Sequence, residues 1–234
     1  MGALNSFSSA ITVYEGKEPI YVVRGLKPET EYDFWVRQGH FNYWGKWSER
    51  LRVRTYENPF IWKKCPGYVS EIRKYSVDKK NQRITTKLGR DDLCTIIGNT
   101  PLPPNKVTSW SIKILKSKYD DGSYIYIGVA PSDIDQNDEN YRKCGWYFDC
   151  SDSTLWSGPP HNYRKKEYGP RKKDGEYVHT GDSVGVVMDT TKGELSFAVN
   201  GVNLGVAYEG IPLDKPLVPC VILRCEGDSV ELII

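Results

Sequence analysis

One dipeptide, Asn200-Gly201, constrains the fold of this 234-residue chain more than any other feature. Asn-Gly tolerates positive φ at both central positions of a two-residue turn, as a type I′ hairpin demands. The flanks alternate apolar and polar residues, Glu194-Leu195-Ser196-Phe197-Ala198-Val199 before it and Val202-Asn203-Leu204-Gly205-Val206-Ala207 after it. Alternation at period two places every second side chain on one face of a strand. Leu195, Phe197 and Val199 therefore share a face, with Val202, Leu204 and Val206 opposite them across the hairpin.

The same period recurs along the chain. Trp110-Ser111-Ile112-Lys113-Ile114 alternates, and Tyr124-Ile125-Tyr126-Ile127-Gly128-Val129 follows after the turn residues Asp120-Asp121-Gly122. Their closeness predicts an antiparallel hairpin. Ser183 to Asp189, Val218 to Leu223 and Val230 to Ile234 add further strands, and no window holds the i, i+3, i+4, i+7 spacing of an amphipathic helix. A composition rich in Tyr (16), Trp (7), Gly (21) and Pro (14) agrees with strands and tight turns. Many short strands at this spacing predict an all-β sandwich or barrel. The first 56 residues carry three strands of their own, Tyr21–Leu26, Tyr32–Arg37 and Leu51–Thr55. The Leu26-x-Pro28-x-Thr30-x-Tyr32 stretch between the first two suits a tyrosine corner.

Charge argues against nucleic acid as a partner. The 32 Lys and Arg nearly cancel the 30 Asp and Glu, whereas duplex binding draws on a concentrated basic field. The clusters Arg164-Lys165-Lys166 and Arg171-Lys172-Lys173 are diluted by Glu167, Asp174 and Glu176, and read as a solvated loop. No run of 18 apolar residues is present, so no membrane span is expected. Residues 1–10 lack a secretory pattern, and the six cysteines read as reduced thiols of a cytoplasmic protein. Gly2 with Ser6 fits the loose myristoylation template, without a nearby polybasic segment to give a second anchor. His40, His161 and His179 stand in no catalytic signature, and Cys144/Cys150 and Cys220/Cys225 lack zinc-knuckle spacing. Neither a phosphate loop nor a dinucleotide fingerprint occurs, so the reading is of a non-enzyme without cofactor or metal.

From about Cys65 onward the chain resembles a SPRY domain with its PRY-like lead-in. The likeness rests on Trp110–Ile114, Tyr126-Ile127-Gly128-Val129-Ala130, Cys144-Gly145-Trp146-Tyr147-Phe148, Gly181-Asp182-Ser183-Val184-Gly185-Val186 with Asp189, Gly193–Phe197, Asn200-Gly201 to Tyr208, and Leu217-Val218-Pro219. The N-terminal segment resembles the second half of a fibronectin type III domain, through Leu26, Pro28, Thr30, Tyr32 and Gly45-Lys46-Trp47-Ser48, and lacks that family's first strands. These likenesses divide the chain into a fibronectin-like segment (1–56), a linker (57–66) and a PRY-SPRY domain (67–234).

The SPRY resemblance implies a bent antiparallel β-sandwich of the concanavalin-like jelly-roll type, binding a protein or peptide partner through loops at one end, as in adaptors and scaffolds. Carried onto this sequence, that face comprises three loops. They hold Arg90, Asp91 and Asp92 in the first, Asp133, Tyr141 and Arg142 in the second, and Arg224 and Glu226 in the third. Such residues orient a peptide by charge-assisted bonds and an aromatic contact. Trp156 is either a further binding aromatic or a loop anchor under Pro159-Pro160; as an exposed ring it would support the alternative, a lectin-like carbohydrate-binding module. Trp146, beside Tyr147-Phe148, reads as core. Oligomeric state is left open by the sequence.

Overall fold

In the computed structural model the alternating segments become strands, and no helix forms among the described residues. These are residues 10–17, 23, 26, 30–40, 43–55, 60–64, 74–89, 91–118, 124–136, 144–168 and 178–233. The chain divides into two compact units, Met1–Glu57 and Asn58–Ile234.

In the first unit, β1 (Glu31–Phe34) pairs antiparallel with β4 (Leu51–Arg54), and β2 (Gly39–His40) with β3 (Tyr43–Trp44). Gly45 N–H donates to Gln38 O and Ser48 N–H to Val36 O, which joins the two pairs into the arms of one long, irregular hairpin. One face couples Tyr32 to Val53 and Phe34 to Leu51; the other couples Glu31 to Arg54 and Asp33 to Arg52. The Arg37 guanidinium lies 4.3 Å from the ring centroids of both Trp44 and Trp47. Of the three strands expected here, Tyr21–Leu26 has only Val23 and Leu26 among the described residues, and positions 27–29 of the corner sequence fall outside them.

Among its described residues the second unit holds thirteen strands. They are β5 (Tyr75–Val77), β6 (Ile84–Lys87), β7 (Cys94–Ile97), β8 (Val107–Lys116), β9 (Tyr126–Pro131), β10 (Trp146–Asp149) and β11 (Thr154–Ser157). β12 (Lys166–Glu167), β13 (Ser183–Asp189), β14 (Glu194–Val199), β15 (Val202–Tyr208), β16 (Leu217–Leu223) and β17 (Ser229–Ile233) follow. They form a seven-stranded sheet in the order β15-β14-β13-β8-β17-β6-β5 and a six-stranded sheet in the order β12-β11-β10-β9-β16-β7. The main core contains the inward residues of both: Trp110, Ile112 and Ile114, Val184, Val186 and Met188 from the first, Ile127 and Val129, Phe148, Val221 and Leu223 from the second. Trp146 is in this core, as its strand context predicts. Two antiparallel sheets sharing one core make a β-sandwich.

Three local expectations are corrected by this topology. First, β8 and β9 are not a hairpin. β8 pairs with β13 and β17 in one sheet, and β9 with β10 and β16 in the other. The composition of β9 holds the reason: Tyr126 to Ala130 are all buried, with Ile127 and Val129 in the main core and Tyr126 and Ala130 in a second cluster on the sheet's other face. A strand buried on both faces belongs inside a sheet, away from its sequence neighbour. Second, the Asn200-Gly201 hairpin forms with φ of 50° and 84°, but its register shifts between Leu195, Ser196 and Ala198. The irregularity places Tyr208 opposite Leu195, and Val202, which pairs with Val199 ahead of the shift, and Val206 are both exposed, so the apolar face expected through Val206 is not buried there. Third, the stretch taken as a linker contains Phe60 and Trp62, both buried in the core; Trp62 Nε1 donates to Arg83 O at 2.7 Å.

Gly128, within one of the motifs quoted above, is required by close approach of backbone. A Cβ there would sit 1.9 Å from Trp146 O on the neighbouring strand.

Candidate functional site

Register decides which connections meet. Leu223 pairs with Cys94, Ile222 with Tyr126, and Ser229 with Lys116. The β6–β7 turn, the end of β8, the start of β9 and the β16–β17 turn therefore converge at one end of the sandwich.

There the turns are fastened to one another. Asp91 Oδ1 accepts the Glu226 N–H at 2.9 Å, across 135 residues of sequence, while its Oδ2 accepts Lys118 Nζ at 2.6 Å. Backbone bonds run both ways between the same turns, Lys87 N to Asp228 O and Gly227 N to Lys87 O. Asp228 is buried; its Oδ1 takes the Lys118 N–H and its Oδ2 the Cys225 N–H. Lys87 points inward on β6 and is only 1% exposed. Its ammonium meets Asp92 Oδ1 at 2.7 Å and Leu88 O at 2.7 Å, Asp92 itself being 51% exposed.

The electrostatics follow from these contacts. The Lys118 ammonium, followed by the Glu226 N–H, holds the Asp91 carboxyl below the usual carboxylate range. Asp228 moves the other way, because burial outweighs the backbone N–H groups that favour its charge. Burial also pushes the Cys225 thiol up to about 11, with Asp228 and Asp91 adding to it, so it is a poor nucleophile at neutral pH. Arg224 is half-buried, with its guanidinium carbon 4.5 Å from the centroid of the half-open Tyr124 ring. Cation–π attraction of this kind fixes a guanidinium without consuming its N–H groups.

Four sequence-predicted residues are thus brought together: Asp91, Asp92, Arg224 and Glu226. Asp133 is not among them. It follows β9 at the opposite end, where Pro131 pairs with Leu217, and it holds Lys215 Nζ at 2.7 Å. Trp156 lies mid-strand opposite Tyr147, half-buried against the second apolar cluster, so it is no loop residue. Arg90, Tyr141 and Arg142 lie outside the described residues. Sequence reasoning missed Lys87, Lys118 and Tyr124. Tyr124 could have been found from its place just after the Asp-Gly turn, at the mouth of a strand; the two lysines carry no sequence signal, since their partners are set by register.

Among the described residues no group of three or more His, Cys, Asp or Glu could hold a metal ion, and no helix is long and apolar enough to cross a membrane. Cys94, Cys144, Cys150, Cys220 and Cys225 form no disulfide among the described residues, and all but Cys144 are buried.

The family model of the SPRY domain matches residues 107–234, more than half of the chain. The chain belongs to the SPRY domain family. Its SPRY fold is shared by the human HERC1 SPRY domain, at 19% identity over 69% of this chain and 92% of that one, TM-score 0.54. A second human SPRY domain matches at 17% identity over 70% of this chain and 97% of that one, also with TM-score 0.54. No curated protein matches in sequence. The family match does not include the N-terminal unit, and the fibronectin likeness gains no support from it. SPRY domains are commonly protein-interaction modules and generally non-catalytic.

Proposed function

We propose that this chain is a non-catalytic recognition module, and that the end of its SPRY sandwich formed by Leu88, Gly89, Asp91, Asp92, Tyr124 and residues 224–228 binds a protein or peptide partner. The fastening of two distant turns by Asp91 is the observation that carries the reading. A surface pre-set in this way loses little conformational freedom on binding, which is what raises affinity for a given set of contacts. Arg224, Tyr124 and Glu226 are of the side-chain types that anchor interfaces by charge-assisted bonds and aromatic contact. An adaptor or scaffold role suits a unit that recognises without modifying. A cytoplasmic location belongs to this reading, supported by cysteines that form no disulfide among the described residues. The antiparallel pairing of β1 with β4 is compatible with the fibronectin-like reading of the N-terminal unit.

The test is capture from cytosol on the parent chain and on an Arg224→Ala/Glu226→Ala double variant of unchanged urea midpoint. A protein retained by the parent and lost with the variant supports the loop face. Identical recoveries from both would remove it.

A further inference from the structure

The loop face does not treat its charges alike. Asp91 and Asp92 each hold a lysine, and Asp228 is buried on backbone N–H groups. These carboxylates, two of which the sequence assigned to partner binding, are engaged inside the molecule. Arg224 differs from them. Among the described residues its guanidinium has the Tyr124 ring as its contact and no carboxylate within ion-pair distance. Lys116 likewise makes no ion pair among the described residues, and its ammonium lies 3.5 Å from where a Cβ on Gly227 would stand, alongside the same turn.

A guanidinium resting on a ring keeps its planar fork of N–H donors uncommitted. That geometry matches a carboxylate, which accepts two parallel N–H bonds, better than it matches a neutral amide or a hydroxyl. Lys116 brings a second positive charge to the same turn, at Gly227, which favours an anion arriving there. Glu226 opposes a further acidic residue on its own side of the turn, and so restricts where the ligand's charge can sit. We infer that the loop face takes an acidic peptide, with one Asp or Glu side chain forked on Arg224. The inference rests on the loop face being the recognition surface.

The probe is a random 12-residue peptide display library, selected on the full chain and on Arg224→Ala, Arg224→Lys and Tyr124→Ala variants with matched urea midpoints. The parent enriches peptides with Asp or Glu at one fixed position. Changing that residue to Asn or Gln weakens binding roughly ten- to a hundredfold, the loss of one charge-assisted pair, and has no effect when Arg224 is already Ala. Arg224→Lys keeps the charge without the fork and falls between the two; it also serves if Arg224→Ala does not fold. Peptides that bind the parent and are lost with Tyr124→Ala, yet show no acidic position, would leave the loop face standing and overturn the carboxylate. Peptides indifferent to every variant, or none above background, would overturn both.

Discussion

Asp92 and Lys87 offer the sharpest test of how this end of the sandwich is held. The ammonium is almost wholly out of water, while the carboxylate is about half in it, at 2.7 Å. Removing one partner of a fully buried pair costs about 3–5 kcal/mol, because a charge is stranded; a fully exposed pair contributes about 0–1 kcal/mol. One partner buried and one half-exposed places Asp92→Asn between these limits, at a cost of about 2 kcal/mol. Leu88 O still accepts from the Lys87 ammonium, which keeps the loss below the upper limit. Lys87→Met behaves differently. It removes the charge that needs a partner and fills a similar volume, and such replacements are near neutral, within about 1 kcal/mol. The double variant then resembles Lys87→Met, so the two changes are non-additive by about 2 kcal/mol. Urea unfolding followed by tryptophan fluorescence measures all four chains, and with an m value of about 2–3 kcal/mol/M the Asp92→Asn midpoint falls by about 0.7–1 M. A midpoint for Asp92→Asn indistinguishable from the parent, or a larger loss for Lys87→Met than for Asp92→Asn, would refute the reasoning.

Other expectations follow from single contacts. Gly128→Ala drives a methyl into Trp146 O and costs at least about 3 kcal/mol, seen as a large drop in the urea midpoint or as failure to fold. Asp91→Asn loosens the 224–228 turn at pH 7, read as faster hydrogen exchange at the Glu226 amide. The folded carboxyl titrates below its ordinary value of 3.8, so its contribution is present above that value and is lost as pH falls through the lower, folded one; parent and variant exchange alike in stronger acid. Iodoacetamide at pH 8 modifies Cys144 before the four buried thiols, with Cys225 at about 11 and Cys220 at about 12 among the slowest, as peptide mass spectrometry would show.

The sandwich was legible in the sequence because period-two alternation is a local property. Trp110 to Ile114 and the Asn200-Gly201 turn both lie where the pattern places them. What the pattern hid depends on the choice of partner. β8 and β9 are neighbours in sequence and lie in different sheets, and only the two-sided burial of β9 distinguishes this from a hairpin. Phe60 and Trp62 sit in a stretch bounded by prolines, which reads as a linker until the core that receives them is known. The site was legible in kind more than in role. The turns at 88–92 and 224–228 do meet, but a sequence containing Asp91 and Asp92 says nothing of Lys118 or Lys87 waiting for them. Asp133 shows the converse: a loop that follows a quoted motif can leave from the far end of its strand.

The bond from Glu226 to Asp91 uses the main chain of residue 226. Any residue other than proline supplies the same N–H, so the turn keeps its position whatever side chain stands there. Scaffold and vocabulary are thereby separated at this point. Substitutions at 226 can change what the surface prefers while the geometry that presents it is inherited unaltered, which gives a lineage of such proteins a low-risk position at which to diverge in partner. The same does not hold for residue 91, where a change of side chain removes both the bond to the Glu226 N–H and the pair with Lys118, leaving the backbone bonds through Lys87 to join the turns.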